Sequence, residues 1–392
     1  MKNDCEVIVV GAGPSGSITA ILLAQLGHEV ILLDKSGFPR QKVCGDAIPL
    51  GASRLLNELG MKDSISEAIN RKKFLPFNRV RLVSPSGYVE SFELNQHGNN
   101  SAAYMTAPRE HFDYLLHQLA LEKGVKFRRA KVESLLIDND KVIGVRTINN
   151  KTNEVIRSRV VVGADGANSI LARNLRFGNQ HLDEHRAIAN RAYIRKIKLC
   201  PGEIEFYFYK QFLPGYAWIF PVGEDAANIG LGMRYDKYIQ GGHNLKAMID
   251  NFLAVPTIRR RLMPGWEINN LAAWPLNFGS QKGLSYAFNG ALLVGDAAGF
   301  VSPLTGGGIL SSIVSGKIAA DVLHKALKAD NLAYGGIKTY ELRCKKEILP
   351  ELRRLYFIQK LLFAFPTAVD HVVKLGQYRY SPLQRWINRA HL

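Results

Sequence analysis

Three glycines near the start of the chain, Gly11, Gly13 and Gly16, have the spacing of a dinucleotide-binding turn. The first would permit a tight bend, the second would let the backbone approach a pyrophosphate, and the third would let a helix pack closely on a strand. The N–H groups and positive dipole end of that helix would face the phosphates. Asp34, 18 residues after Gly16, is placed to accept from a ribose hydroxyl. Together these residues predict a dinucleotide site.

A second glycine-rich turn decides between NAD and FAD. Asp296 ends a buried apolar run, at the sheet edge where open α/β folds bind ligands, and its carboxylate could accept from a hydroxyl of the flavin's sugar-alcohol chain. Gly306, Gly307 and Gly308 would bring N–H groups and a helix dipole toward the flavin ring, where a positive end stabilises the anionic reduced form. The pattern predicts FAD, against the alternative of an ordinary strand–loop–helix turn.

Asp165 and Gly166 form a third turn, which follows a β-branched run. An Asp-Gly pair in this position is typical of a sharp bend. Arg173 follows in the same segment and is a candidate for the same site. Taken alone, a simple turn and a ligand site are equally good interpretations.

Residues 216–221 (YAWIFP) place three aromatic side chains on one face of a predicted strand, because side chains alternate along a strand. Tyr216, Trp218 and Phe220 could floor an apolar tunnel over the flavin. The alternative is an ordinary sheet core, which the pattern alone favours.

Cys44 is a candidate catalytic thiol, since Arg40 and Lys42 would lower its pKa. It could instead be a small residue that packs beside the flavin, and its two basic neighbours could bind phosphate or substrate. The four cysteines of the chain form no CxxC pair. We therefore expect no metal site, and reduced thiols in a cytoplasmic protein.

The elements that would position these residues follow from the hydrophobic pattern. Buried or alternating strands are predicted at residues 6–10, 30–33, 125–127, 132–137, 142–147, 155–163 and 290–294, with a hairpin at 79–94. Helices are predicted after Gly13, at 109–123, and from the glycine cluster to about Lys328. Most segments between residues 187 and 274 alternate, which predicts an antiparallel sheet with one covered face.

The nucleotide fold thus occurs in three separated pieces, so the second domain is expected to be inserted into the first. The predicted fold is α/β: a Rossmann-like FAD-binding domain, an inserted antiparallel-sheet substrate domain and a helical C-terminal region. We assign residues 1–71, 109–186 and 276–330 to the FAD-binding domain, 72–108 and 187–275 to the substrate domain, and 331–392 to a helical C-terminal cap.

The 392-residue chain carries a formal net charge of +17, and residues 317–392 contribute 14 Lys and Arg against 6 Asp and Glu, a net of +8. No nucleic-acid-binding motif accompanies this charge, so no nucleic-acid partner is expected. No apolar run approaches the roughly 20 residues that span a bilayer. The basic, aromatic C-terminal segment could be a membrane-surface helix or a cap on the substrate domain, and capping is favoured. Pro350 argues against one long helix.

The order of these turns resembles that of the flavin-dependent aromatic hydroxylase fold group, and within it the geranylgeranyl reductase family. Three segments carry the closer likeness: residues 39–46 (PRQKVCGD), Arg109 with Phe112 and Asp113, and 216–221 followed by Gly230 and Gly232. Asp46 stands where many relatives would have glycine. The resemblance covers residues 5–325.

The resemblance implies roles for particular residues. It implies that Cys44 and Tyr216 are the candidates for catalysis, and that substrate contacts Tyr216, Trp218, Phe220 and Pro221. It implies a cofactor site formed by Gly11, Gly13, Pro14, Ser15, Gly16, Asp34, Lys35, Arg40, Cys44, Gly45, Arg109, Val132, Asp165, Gly166, Gly295, Asp296, Gly307, Gly308 and Ile309.

It also implies an activity: reduction of carbon–carbon double bonds in a prenyl chain by hydride from N5 of reduced FAD. NAD(P)H would be the transient electron donor, and Cys44, Tyr216 or water would supply the proton. A flavin-dependent monooxygenase using NAD(P)H and oxygen is the main alternative. A halogenase, or a flavoprotein without catalysis that binds a partner or a membrane, is a further one. The expected partner is an apolar small molecule or lipid, with peripheral membrane contact through the C-terminal region as an open alternative.

Overall fold

The computed structural model describes residues 3–94, 102–149, 152–177 and 180–375. The strands are β1 (Cys5–Val10), β2 (Val30–Asp34), β3 (Ala47–Ile48), β4 (Leu75–Phe77), β5 (Arg79–Val83), β6 (Val89–Glu93), β7 (Tyr104–Thr106), β8 (Lys126–Arg129), β9 (Lys131–Asp138), β10 (Lys141–Asn149), β11 (Thr152–Gly163), β12 (Arg186–Ile197), β13 (Glu203–Tyr207), β14 (Gly215–Pro221), β15 (Ala226–Arg234), β16 (Leu262–Asn277), β17 (Ala287–Phe288) and β18 (Ala291–Leu293). The helices are α1 (Pro14–Gln25), α2 (Leu50–Leu56), α3 (Lys62–Asn70), α4 (Arg109–Glu122), α5 (Ile170–Leu175), α6 (Tyr235–Gln240), α7 (Leu245–Ala254), α8 (Pro256–Arg259), α9 (Gly295–Ala298), α10 (Ile309–Lys328), α11 (Tyr334–Glu347), α12 (Leu349–Ala364) and α13 (Pro366–Leu375).

The first sheet is the predicted nucleotide-binding sheet. Its parallel strands run in the order β18-β11-β1-β2-β8, with β17 antiparallel at one edge. Val7 at the centre of β1 pairs with Val160 on one side and Val30 on the other. Residues 7–9 are completely buried, and α1 packs against both β1 and β2. Strands from all three predicted pieces of the chain therefore join one sheet, as the inserted arrangement requires.

The second sheet has seven strands in the order β16-β12-β15-β14-β13-β5-β6. Its pairs are antiparallel as predicted, except that β13 and β5 are parallel, with Ile204 beside Val80. The parallel pair lies where the predicted hairpin β5–β6, from an earlier part of the chain, joins β13, the last of the strands contributed by residues 186–277.

Three helices, α6 to α8, interrupt the alternating segment and were not predicted. Met248, Ile249 and Phe252 of α7 form an apolar cluster with Ile219 and Ile229, which lie on the face of the sheet opposite the three aromatics. The expectation of a single covered face was therefore wrong, because the helical insertion covers the second one.

The C-terminal region is helical, as predicted, through α11, α12 and α13. One helix ends at Glu347 and the next begins at Leu349, with Pro350 in its first turn. Proline is tolerated there because the N–H it lacks has no partner within the helix. None of the described helices is long and apolar enough to cross a membrane. Residues 376–392 of the predicted cap lie outside the described part.

Candidate active site

A cavity of about 530 Å³ separates the carboxyl edge of the first sheet from the aromatic face of the second. Its size is within the range of pockets that bind cofactors or small ligands. The two predicted glycine-rich turns line one side, the strand β14 lines the other, and Gln359 and Phe363 of α12 complete the wall. The inserted topology thus places both sets of predicted residues around one space.

The first glycine turn is shaped by close backbone packing. Gly11 has a φ of 103°, and a Cβ there would stand 2.2 Å from the carbonyl oxygen of Ala164. A Cβ on Gly16 would stand 1.8 Å from the carbonyl oxygen of Gly11, so only glycine lets α1 approach this turn. The helix begins at Pro14 with no side chain capping it. Its first N–H groups and its positive dipole end are therefore suited to a phosphate.

Asp34 lies at the end of β2 and holds the first turn in place. Its Oδ2 accepts the N–H of Ala12 at 2.9 Å, and its Oδ1 accepts the N–H of Ser36 at 2.9 Å. The carboxylate also lines the cavity, where a sugar hydroxyl could reach it.

The second turn contributes another helix N-terminus to the same cavity. Gly308 precedes α10, which begins at Ile309 and also lacks a side-chain cap. A Cβ on Gly308 would stand 3.0 Å from Oδ1 of Asp296, so the glycine leaves room beside this carboxylate. Two uncapped helix ends and two carboxylates around one cavity fit the phosphates, sugar hydroxyls and ring carbonyls of FAD. When bound, FAD supplies two-electron chemistry through its flavin ring.

Asp165 directs its carboxylate toward its own helix. Its oxygens accept from the hydroxyl of Ser169 at 2.5 Å and from the N–H of Ile170 at 2.7 Å, at the start of α5. Burial raises the pKa of this carboxyl. Arg173 is exposed and donates to the carbonyl oxygen of Asn168, so it lies outside the cavity. The third turn therefore combines a cap for α5 with a place in the cavity wall.

Arg109 stands beside the phosphate-binding turn. It forms a buried two-point ion pair with Asp113, at 2.7 and 2.9 Å, and Arg40 reaches the same carboxylate at 3.0 Å. Asp113 raises the pKa of Arg109 against the effect of burial. A Cβ on Gly13 would be 3.9 Å from the Nη2 atom of Arg109. The guanidinium is therefore placed to face a pyrophosphate, which it would bind by charge and hydrogen bonds.

The hydrogen bonds of Asp46 account for an aspartate at a position where many relatives would have glycine. Its φ of 66° lies in the left-handed region that favours glycine. The buried carboxylate accepts from Tyr193 Oη at 2.6 Å, Asn228 Nδ2 at 2.7 Å and the N–H of Arg109 at 3.3 Å. Burial raises the pKa of Asp46, and the bonds from Tyr193 and Asn228 oppose that rise. Its side chain thus ties the Cys44 loop to the second sheet.

The aromatic face is built as the alternation predicts. The ring centroids of Tyr216, Trp218 and Phe220 are 6.0 Å apart in succession. Trp218 donates its indole N–H to Asn228 at 2.9 Å, and Tyr216 donates its hydroxyl to the carbonyl oxygen of Thr305 at 2.5 Å. The Tyr216 bond joins the aromatic face to the second glycine turn. Burial raises the pKa of the Tyr216 phenol.

Most of the predicted site residues line this cavity. They are Gly11, Gly13, Pro14, Ser15, Asp34, Lys35, Arg40, Cys44, Gly45, Arg109, Val132, Asp165, Gly166, Tyr216, Trp218, Phe220, Asp296, Gly307, Gly308 and Ile309. Gly16 and Gly295 instead pack behind the wall, and Pro221 lines a separate depression with Thr106.

Sequence reasoning left Arg191, Trp274 and Gln359 out of the site, although all three line the cavity. Arg191 and Trp274 lie on strands whose pairing register, and Gln359 on a helix whose docking, cannot be derived from neighbouring residues. The one signal in the sequence was a charged residue, Arg191, within an alternating strand. In the structure Arg191 is 2% exposed, and an arginine is rarely so buried without a partner.

Cys200, Glu203 and Glu205 lie outside the cavity, with potential ligand atoms within 4.8 Å of one another. Arg81 pairs with Glu203 at 2.8 Å, and Arg261 pairs with Glu205 at 2.7 Å. These arginines supply the positive charge that the carboxylates need, so the cluster is explained as an ion-pair network.

Comparison with known proteins agrees with this geometry. A family model described as an FAD binding domain matches residues 4–196, and one described as the geranylgeranyl reductase catalytic domain matches residues 186–262. Digeranylgeranylglycerophospholipid reductase 1 of Methanopyrus kandleri is 30% identical over 87% of this chain and 86% of its own length.

Two further relatives cover nearly the whole chain. Conditioned medium factor receptor 1 of Dictyostelium discoideum is 31% identical over 96% of this chain and 74% of its own length. The crystal structure of a geranylgeranyl bacteriochlorophyll reductase-like protein from Thermoplasma acidophilum superposes with a TM-score of 0.81, at 24% identity, over 96% of this chain and 92% of that one. The chain is an FAD-dependent oxidoreductase and belongs to the geranylgeranyl reductase family.

Proposed function

We propose that the protein reduces carbon–carbon double bonds of a prenyl chain, with hydride supplied by reduced FAD. One observation carries the proposal: two uncapped helix ends suited to FAD face a wall of Tyr216, Trp218 and Phe220 across a single cavity. An alkene has no polar group to recognise, so an apolar aromatic wall is the surface expected to hold it. The reductase name of the Methanopyrus relative supports the same assignment.

The residue roles follow from the same arrangement. We assign the pyrophosphate to the turn at Gly11 and Gly13 with Arg109, the sugar-alcohol chain to Asp296, and the flavin ring to the loop before Ile309. Cys44 and Gly45 would lie beside the ring, and the aromatic wall would hold the substrate. We propose the domain division expected from the sequence, which the strand membership of the first and second sheets supports, although β3, β4 and β7 form a third sheet that draws on both domains. NAD(P)H would be a transient donor, since the dinucleotide site is taken by FAD.

The test is an anaerobic incubation of the purified FAD-loaded protein with dithionite or NADPH and a phospholipid that carries geranylgeranyl chains, followed by mass spectrometry. A gain of two hydrogens per reduced double bond is expected. Trp218→Ala should lower the yield of saturated product because it opens the apolar wall, whereas exposed Leu342→Ala serves as the control. Gain of oxygen under air, with no saturation in its absence, would identify the monooxygenase instead.

Two other activities have less support. A halogenase would carry Trp-x-Trp-x-Ile-Pro where this chain has Tyr216-Ala-Trp218-Ile-Phe220-Pro. A role in partner binding without catalysis is suggested only by the receptor name of the Dictyostelium relative. In that case the bound flavin would not turn over with any donor.

We infer that α12 brings the cavity to an anionic membrane surface, where a lipid substrate would enter. Phe357 and Leu361, 68% and 54% exposed, are four residues apart on one face of α12, and Phe365, 60% exposed, follows directly after the helix end at Ala364. Phe363 of the same helix lines the cavity. The net charge of +8 in residues 317–392 matches a negatively charged bilayer. A cytoplasmic protein peripheral to the membrane is the location this implies.

Co-sedimentation with vesicles tests this inference. The wild type should bind vesicles that contain phosphatidylserine more strongly than neutral ones, and Phe357→Asp should weaken binding while FAD content stays unchanged. Equal binding of wild type and variant would mean that α12 only caps the substrate domain.

A further inference from the structure

Lys42 carries a buried charge for which the described residues offer no hydrogen-bond acceptor. Its Nζ atom lies inside the protein, although part of the side chain reaches the cavity surface. The Nζ atom lies over the ring of Trp274, 3.5 Å from its centroid. A cation–π contact of this kind compensates only part of the cost of removing an ammonium from water. A group that lacks an acceptor in the cavity wall is available to a ligand.

The charged or titratable groups around Lys42 come from four elements, one of which is β12, where Nη2 of Arg191 donates to the carbonyl oxygen of Lys42 at 2.6 Å. Arg40 and Cys44 belong to its own loop, Arg109 comes from α4, and Asp296 comes from the second glycine turn. Burial and Arg109 lower the pKa of Lys42 to about 7, while Asp296 acts in the opposite direction. An ammonium with a pKa near neutrality can give up its proton at the working pH.

The other proton donors considered for the cavity are less suitable. The hydroxyl of Tyr216 already donates to the carbonyl oxygen of Thr305, and burial raises the pKa of this phenol. The Sγ atom of Cys44 already takes part in a hydrogen bond, from the N–H of Asp46 at 3.4 Å, whereas Nζ of Lys42 has no hydrogen-bond partner among the described residues. Lys42 therefore combines an unused proton, a position in the cavity wall and a suitable acidity.

We propose that Lys42 is the acid that completes alkene reduction, by donating an Nζ proton to the carbon that does not receive hydride. This step rests on the proposed function. The π bond breaks, a C–H bond forms at each carbon, and both electrons come with the hydride from the reduced flavin. Lys42 is left as a neutral amine and regains a proton from solvent. NAD(P)H or dithionite reduces the oxidised flavin again.

The variants Lys42→Arg and Lys42→Met test this role. Arginine keeps the positive charge but, with a pKa above 12, cannot act as an acid near neutral pH. Both variants should reduce single-turnover formation of saturated lipid by at least about a hundredfold, the usual size of a general-acid contribution. FAD content and reduction of the flavin by dithionite should be unchanged. Lys282→Arg, at an exposed site, is the matched control.

The pH dependence gives a second readout. Single turnover by the wild type should fall above a midpoint at or somewhat higher than about 7, since the FAD phosphates add negative charge and hold the proton more firmly. Independently of activity, ¹³C-methylation of lysines followed by NMR should show one dimethyl-lysine that titrates near neutral pH and is missing in Lys42→Arg.

The outcomes separate this proposal from the function on which it rests. If the wild type saturates the lipid and Lys42→Arg does so equally well, charge alone suffices and Lys42 is not the acid. Titration of every lysine above pH 9 also overturns the assignment. If the wild type saturates no prenyl lipid under any condition, the proposed function fails, and the role of Lys42 fails with it.

Discussion

Trp218 lies so close to Gly230 that a Cβ on the glycine would stand 2.1 Å from the indole Cζ2 atom. The two residues face each other on adjacent antiparallel strands, β14 and β15. The glycine therefore makes room for the indole, whose N–H is fixed by Asn228 on the same strand as Gly230. The aromatic residues of β14 and the glycines of β15 therefore pack together as one unit.

The first prediction concerns this contact. The Cβ of Gly230→Ala would collide with the indole, and it could not move away because the carbonyl oxygen of Asn190 would be only 2.5 Å from it. The substitution should therefore displace the indole. We expect unfolding in urea to show a loss of about 1–3 kcal/mol in the free energy of unfolding, as for other overpacked sites. Gly232→Ala is the matched control, since its Cβ would meet Ala189 at an ordinary 3.5 Å. Equal losses in both variants would contradict this account.

The second prediction concerns Asp46. Asp46→Ala keeps a left-handed backbone, leaves the Tyr193 hydroxyl without its acceptor and leaves Asn228 Nδ2 with only the carbonyl oxygen of Cys44, at a cost of about 1–3 kcal/mol for a buried donor that stays unpaired. Asp46→Gly loses the same acceptor but removes the backbone strain, which costs about 1–2 kcal/mol. Chemical denaturation should therefore give the highest free energy of unfolding for the wild type, a lower one for the glycine variant and the lowest for the alanine variant. An alanine variant as stable as the glycine variant would show that the strain is not significant.

The third prediction concerns pH. Burial, and next the charge of Arg176, lower the pKa of His181 from 6.5 to about 3. Its Nε2 faces Nη1 of Arg176 at 3.4 Å, which requires a neutral imidazole that accepts. The folded-state pKa is below the unfolded value, so this stabilisation is present above pH 6.5 and is lost as the pH falls toward 3.

His181→Gln keeps an acceptor for Arg176 but does not titrate. The free energy of unfolding of the wild type relative to this variant should decrease by about 1.4 kcal/mol for each pH unit below 6. Carboxyl groups titrate in both proteins and largely cancel in the difference. A difference that stays constant between pH 7 and pH 4 would contradict the pKa shift of His181.

The sequence predicted those parts of the site that depend on neighbouring residues. The turn from Gly11 to Gly16 and the aromatic face of β14 are local patterns with a fixed period, and the structure has both. The placement of Trp274 and Gln359 depends instead on the register of β16 and the docking of α12, which long-range packing decides. The side-chain partners of Asp46, Tyr193 and Asn228, come from β12 and β15, more than 140 residues away. Local patterns contain no information about such contacts.

The last prediction separates positioning from acid catalysis at Tyr216. Its hydroxyl links the aromatic wall to Thr305, directly before the glycines that open α10. Tyr216→Phe removes one buried hydrogen bond, worth about 0.5–1.5 kcal/mol, and should weaken FAD binding about two- to tenfold in a fluorescence titration. At saturating FAD, single-turnover saturation of the lipid should remain within about threefold of the wild type, because Lys42 still supplies the proton. A hundredfold loss at full FAD occupancy, with a pH profile no longer governed by Lys42, would make the phenol the acid and Lys42 a residue that only binds.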